Sequence, residues 1–296
     1  MADRRQFLRG AGLAAMSGWL PAGAASNEAA TLRIDATRES ANQDSRVRVL
    51  VFHYTAEDFE TSLKLLTEPR YRTSAHYLIP DAGTLARDPS ALRLVTEERR
   101  AWHAGVSHWR GERYLNDNSI GIEIVNRGYP SPEQDDWPLT RRQWRDFDDA
   151  QIRLAGWLAA DIVERHGIAP DNVVGHADIA PGRKADPGPR FPWERLYREF
   201  GVGAWPDGDD VRRLLAAQPR AADPVSWQRR LSAYGYDAPL TGNWDGKTRD
   251  AIAAFQMHFR QSRFDGEPDA ESSAILDALL LKYRGADIDE GEGGGA

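Results

Sequence analysis

Hydrophobic and polar positions change period several times along the chain. From Arg46 the sequence reads RVRVLVFHYT, where alternation gives way to a continuous apolar run, the pattern of a buried strand. Residues 74–79 (SAHYLI), 119–125 (SIGIEIV) and 172–176 (NVVGH) predict three more short strands. Between them the period turns helical. Residues 57–66 form a short amphipathic pattern. Residues 140–166 form a long one, with Trp144, Phe147, Ile152, Leu154, Leu158, Ile162 and Val163 on one stripe. Thr140 is the expected N-cap of that helix and Gly167 its stop. Strands alternating with helices predict an α/β layer fold.

The pattern breaks after Phe200. GVGAWPDGDD and AAQPRAADP are rich in Gly, Pro and Asp, with one short helical stretch between them. Residues 204–223 are therefore read as a linker. Three helical segments follow within 224–284: VSWQRRLSAYGY, KTRDAIAAFQMHF and DAESSAILDALLLKY. Ile252, Phe255 and Phe259 recur at helical spacing and are expected in a core. The expected whole is an α/β domain over 26–203 and a small three-helix all-α domain. The tail, 285–296, is low in complexity and read as disordered.

Composition narrows the functional classes. A chain of 296 residues has room for two domains, and ten tryptophans supply core volume. A formal charge of -7 argues against a nucleic-acid binder, which would show a basic face. The absence of cysteine removes disulfides and thiolate metal sites, so any metal must rest on His, Asp or Glu. The first 25 residues read as a twin-arginine signal: Arg4-Arg5, a mildly apolar run to Leu20, then Ala22-Gly23-Ala24 as a small-x-small cleavage site. That run is too short to remain as a membrane span. The mature chain is expected in the periplasm or outside the cell, without a stable membrane anchor and as a monomer.

Candidate chemistry gathers at strand ends. His53 ends VFHYT and His176 ends NVVGH, and open α/β sheets place sites at strand ends. Ten residues past His176, beyond a Pro/Gly turn, comes Asp186. Two imidazoles and a carboxylate are a donor set that leaves a catalytic zinc one open position. Glu123 lies inside the apolar SIGIEIV, a costly place for a carboxylate unless paired or functional. It is a candidate general base. Lys184, two residues before Asp186, shares its face if the loop is extended, and could oppose an oxyanion. On spacing alone His76, His103 and His108 stay open as competing ligands. His166, at a helix end, reads as structural, and His258 is expected at the surface of the helical domain.

The segments VFHYT, SAHYLI, AWHAGVSHWRG, NDNSIGIEIVNRG and VVGHADIAPGRKADPGPRFPW resemble, in order, the zinc-dependent N-acetylmuramoyl-L-alanine amidases of the peptidoglycan-recognition-protein superfamily. The resemblance covers roughly residues 46–200. It implies a central mixed β-sheet flanked by helices. It implies Zn²⁺ on His53, His176 and Asp186, with Glu123 and Lys184 as the catalytic pair. His76, His103 and Asn118 resemble positions that line the substrate groove. The implied reaction is hydrolysis of the amide between N-acetylmuramic acid and L-alanine, in peptidoglycan or its muropeptide fragments. VSWQRRLSAYGYDAPLTGNWDGKTRDAIAAFQMHF resembles a three-helix peptidoglycan-binding domain, departing from it at Asn243-Trp244-Asp245-Gly246. The rival readings are a non-catalytic peptidoglycan-binding protein and a zinc peptidase. The second is weakened because no H-E-x-x-H occurs.

Overall fold

A computed structural model describes residues 40–217 and 223–285, together with 35, 37 and 38. The expected export signal, and the expected tail from 286 onward, lie outside the described residues. All four predicted strands form, and short strands join them. They are β1 (Val49–Tyr54), β2 (Tyr77–Ile79), β3 (Leu92–Arg93), β4 (His108–Trp109), β5 (Glu112–Arg113), β6 (Ser119–Ile124) and β7 (Val173–Gly175). Five make one sheet in the order β3-β2-β6-β1-β7. β1 pairs in parallel with β6 and β7, and β2 in parallel with β6, while β3 is antiparallel. The sheet is therefore mixed.

Period two divides the sheet's faces. Leu50 and Phe52 of β1 share one face with Ile120, Ile122 and Ile124 of β6. They pack with Ile152, Ala155, Ala159 and Ile162 of α3 (Asp149–His166). Val49 and Val51 point the other way, into a core with Trp109, Tyr236 and Phe255. The remaining helices are α1 (Phe59–Thr67), α2 (Ala82–Leu85), α4 (His176–Ile179), α5 (Trp193–Phe200), α6 (Gly208–Ala216), α7 (Pro224–Tyr234), α8 (Gly246–Phe259) and α9 (Ala270–Arg284).

The long helix starts later than its periodicity predicts. Asp148, not Thr140, is its N-cap, and Gln151 Oε1 accepts the Asp148 N–H at 3.2 Å. This capping box fixes the first turn. Gln151 Nε2 also donates to the Pro80 and Val125 carbonyls at 3.0 and 2.8 Å. Trp144, on the predicted stripe, instead donates its indole N–H to Leu139 O at 2.9 Å and packs against Tyr129. Its apolar surface is satisfied by a loop, so helical spacing there is coincidence.

The described residues from 44 onward form one compact unit. The C-terminal helices sit directly on the sheet's second face: Trp109 packs edge-on against Tyr236 at 5.1 Å, and Arg110 N–H donates to Gly235 O at 2.9 Å. Within the expected linker, α6 packs on α9. His258, expected at the surface, is 3 % exposed. Every residue from 251 to 259 of α8 is buried, because this helix has neighbours on all sides. Among the described residues no helix is long and apolar enough to cross a membrane.

Candidate active site

Parallel pairing sets His53 opposite Glu123, so both side chains leave the sheet on the same face. The alternation in SIGIEI then reads as two lists. The isoleucines go to the core, and Ser119, Gly121 and Glu123 go to the site. β7 delivers His176 at its end, one residue past Gly175. The loop after α4 returns Asp186 to the same point, and the Ala177 N–H donates to the Asp186 carbonyl at 2.8 Å.

Three donor atoms meet there. His53 Nδ1 and His176 Nδ1 are 3.0 Å apart, and Asp186 Oδ2 lies 2.9 and 3.1 Å from them. All three side chains are buried. Hydrogen-bond partners fix the tautomers. His176 Nε2 faces the Ala104 carbonyl at 3.1 Å, an acceptor only, so Nε2 carries the hydrogen and Nδ1 a lone pair. His53 Nε2 faces His103 Nδ1 at 3.0 Å, and His103 Nε2 faces Ser119 Oγ at 3.3 Å. Ser119 ends the chain by donating to the Leu115 carbonyl. Each donor in the row points outward, which leaves His53 Nδ1 bare as well.

Two lone pairs and a carboxylate oxygen thus face one another with no hydrogen among them. A cation would relieve that arrangement. The edges of 2.9–3.1 Å approach the roughly 3.3 Å expected between ligands of a tetrahedral zinc with bonds of about 2.0–2.1 Å. Electrostatics agree. Burial, with repulsion from His176, lowers the His53 pKa to about 4, so the ring is neutral as a ligand must be. Burial opposes ionisation of Asp186, but positive charge on the neighbouring imidazoles outweighs it and holds the carboxyl below the usual range; with the rings neutral, a cation would take over that role.

The cluster floors a cavity of about 610 Å³. Glu123 lines it, with Oε2 buried and unpartnered. Burial, reinforced by Asp186 and opposed by Lys184, pushes its pKa up to about 8. Lys184 also lines the cavity, exposed at the rim. One wall is the 129–142 segment, with Tyr129 and Arg142. Another part of the lining is α8, through Asp250, Ala253, Ala254 and Met257.

The expected site residues divide accordingly. His53, His103, Glu123, His176, Lys184 and Asp186 come together around the cavity. His76 and Asn118, expected in the groove, do not line it. His76 is fully buried behind His103, where Nδ1 accepts the Gly121 N–H at 3.0 Å and Nε2 donates to Arg99 O at 3.1 Å. Asn118 precedes β6, and its carbonyl accepts the N–H groups of Arg48 and Val49. His108, the other open ligand candidate, lies in β4, apart from the cluster. His166 bonds Ser45 Oγ and Glu97, as a structural residue would. Sequence reasoning missed Asn116, whose Oδ1 accepts the N–H groups of His103 and Ala104 at 3.0 and 2.8 Å. It also missed the α8 wall, for which the sequence carries no local signal.

Gly121 makes His103's position possible. A Cβ there would sit 2.5 Å from His103 Cγ. Gly121→Ala therefore pushes the ring off His53 and is expected to weaken metal binding about 10–100-fold. It should also cost about 1–3 kcal/mol of stability by overpacking. Gly246→Ala, with open space at its Cβ, is the control. Unchanged metal affinity in Gly121→Ala, read by chelator competition, would show that His103 does not orient His53.

A mixed sheet carrying a buried His-His-Asp donor set beside an unpaired glutamate is the arrangement a metal-assisted hydrolase would use. Comparison with known proteins gives the kind. The family described as N-acetylmuramoyl-L-alanine amidase matches residues 43–189, and a peptidoglycan binding domain family matches 220–276. The N-acetylmuramoyl-L-alanine amidase AmiD of Escherichia coli K12 is 44% identical over 256 residues, 85% of this chain and 88% of that one. A solved AmiD structure, in complex with anhydro-N-acetylmuramic acid-L-Ala-D-gamma-Glu-L-Lys, superposes with a TM-score of 0.74 and covers 86% of this chain and 96% of its own. AmpDh3 of Pseudomonas aeruginosa, in complex with anhydromuramic pentapeptide, gives 0.75 at 41% identity, covering 86% and 99%. The chain belongs to the N-acetylmuramoyl-L-alanine amidase family. Its activity is hydrolysis of the amide that joins N-acetylmuramic acid to L-alanine.

Proposed function

We propose that this amidase works with zinc held by His53, His176 and Asp186, and that Glu123 and Lys184 carry the chemistry. The supporting observation is the triangle of unprotonated donor atoms beside the unpartnered Glu123 carboxyl. Zinc held there would supply polarisation of the scissile carbonyl and a water ready to attack near neutral pH. Glu123 takes the proton from the attacking water. It then gives that proton to the L-alanine nitrogen as the carbon–nitrogen bond breaks. The raised pKa makes the proton-carrying form of Glu123 accessible near neutral pH, which suits the donating half, while a cation on the three neighbouring ligands would favour the ionised form that accepts the water proton. Lys184 places its ammonium at the cavity rim, where it opposes the negative charge that develops on the carbonyl oxygen. His103, through His53 Nε2, and Ala104, through His176 Nε2, keep both rings in the ligand tautomer.

The substrates we propose are muropeptides, including anhydro forms, and the peptides of intact peptidoglycan. The bound molecules of AmiD and AmpDh3 support this. Export by the twin-arginine route would bring the enzyme to that material in the periplasm. The division at 204–223 would give a catalytic part and a peptidoglycan-binding part, monomeric in solution.

The test uses a defined disaccharide-peptide, the purified chain, and mass analysis of products with and without chelator. Free stem peptide beginning with an unblocked L-alanine is expected, lost on chelation and restored by zinc. Cleavage inside the stem peptide would replace this reading with a peptidase. Uncleaved substrate that co-purifies with the protein would replace it with a binding protein.

A further inference from the structure

Asp178 lies on α4, two residues past His176, and is 2 % exposed. Its Oδ2 accepts the Gly175 N–H at 2.7 Å and so fixes the peptide that leads into His176. Its other partners come from the C-terminal helical part of the chain. Tyr236 donates its hydroxyl to Oδ1 at 2.7 Å, and His258 Nδ1 donates to Oδ2 at 2.8 Å. A carboxylate this deep is costly unless its oxygens are satisfied. Two of its three donors stand 58 and 80 residues further along the chain.

His258 is held in place. Its ring stacks on Trp193 at 3.8 Å and on Phe259 at 3.9 Å. Its Nε2 is buried without a partner, so the ring serves Asp178 through Nδ1 alone. A residue present only for packing could as well be phenylalanine. The contact continues to the metal ligands. A Cβ on Gly175 would meet Pro187 at 2.6 Å and Trp193 at 3.3 Å, so this peptide has no room to shift freely. Ala177 ties the same turn to the Asp186 carbonyl.

We infer that Tyr236 and His258, in the segment matched to a peptidoglycan binding domain, are positioning residues for the metal site. They act through Asp178 on the backbone that carries His176. The inference rests on the proposed zinc assignment. A module that only tethered the enzyme to the wall would need no bond to the turn that bears a ligand.

The test measures zinc affinity by competition with a chelator on the full chain, independently of turnover. Tyr236→Phe and His258→Phe are each expected to weaken zinc binding about 10-fold or more, within the 10–100-fold range of outer-shell changes. His258→Asn, which keeps a donor near the Nδ1 position, recovers most of the loss. Lys282→Ala is the control for general loosening. Its ammonium joins the same two parts elsewhere, at Tyr197 Oη (3.0 Å) and Trp205 O (3.1 Å), and its loss leaves zinc affinity unchanged. Wild-type affinity in both Tyr236→Phe and His258→Phe overturns the inference. So does an equal loss in Lys282→Ala. A wild-type protein that binds no zinc overturns the metal assignment itself, and this inference with it.

Discussion

Glu123→Gln binds zinc as the wild type does and loses about 10²–10⁴ in kcat, the usual contribution of a positioned acid–base group. The substitution keeps size and polarity but cannot accept the water proton. Because Glu123 makes no hydrogen bond through Oε2 in the folded chain, nothing structural is lost with its charge. KM should move little, since the change acts on proton transfer. Metal content by elemental analysis, with steady-state kinetics on a disaccharide-peptide, decides it. Full turnover in this variant would sink the acid–base assignment.

The same carboxyl leaves a second mark on the metal-free protein. Its pKa rises from 4.5 to about 8, mainly through burial. The folded state therefore holds the proton more tightly than the unfolded state, and stability falls as pH climbs through that interval. Below 4.5 both states are protonated and the penalty is absent. Above 8 it is complete. Metal-free Glu123→Gln should accordingly match the wild type in acid and exceed it in thermal stability at pH 8 and above. A cation on the three ligands favours the ionised carboxylate and shrinks that difference. Equal melting of the two metal-free proteins across the whole pH range would show that Glu123 is well solvated.

Much of this site was legible because strand pairing converts spacing into geometry. The apolar run ending at His53 and the one holding Glu123 lie in register, so two residues 70 positions apart share one face. His176 and Asp186 were legible through their strand end and Pro/Gly loop, with the family resemblance choosing among the histidines. Spacing alone could not separate His103 from a ligand. What sets it apart is that its Nδ1 faces His53 Nε2 and not the donor triangle, and a sequence does not encode that orientation. His76 is excluded for the same kind of reason: both its nitrogens are occupied by backbone groups. The misplacement of His258 has another cause. Within its own helix nothing marks the residue as buried. The surface that covers it, Trp193 and Asp178, belongs to the α/β part of the chain. Thr140 misled because Trp144 and Phe147 continue the helical stripe although Trp144 is anchored by the Leu139 carbonyl in a loop. The two-residue strands β3, β4 and β5 are too short to show a period at all.

The largest effect expected is that of losing the metal. Chelation should abolish hydrolysis, and added zinc should restore it. In His176→Ala zinc should restore nothing, and activity should remain at the level of the chelated wild type. Among the described residues three side chains offer donors at this point, His176 one of them, so its removal leaves a two-ligand site. It also leaves the Ala104 carbonyl without the imidazole donor that meets it at 3.1 Å. Stability reports the same event without reference to turnover. A ligand that binds only the folded state adds about 4 kcal/mol at a thousand times its Kd. For a chain of this size that corresponds to a melting shift of roughly 8–16 °C. Zinc should therefore raise the melting temperature of the wild type and of Glu123→Gln by similar amounts, and leave that of His176→Ala nearly unchanged. The contrast matters because the two variants lose activity for different reasons. Glu123→Gln keeps the triangle of donors and loses the proton carrier, whereas His176→Ala keeps the carrier and loses the triangle. A zinc-induced shift in His176→Ala as large as the wild type's would move the metal to other residues, and His103, 3.0 Å from His53, would be the first to test.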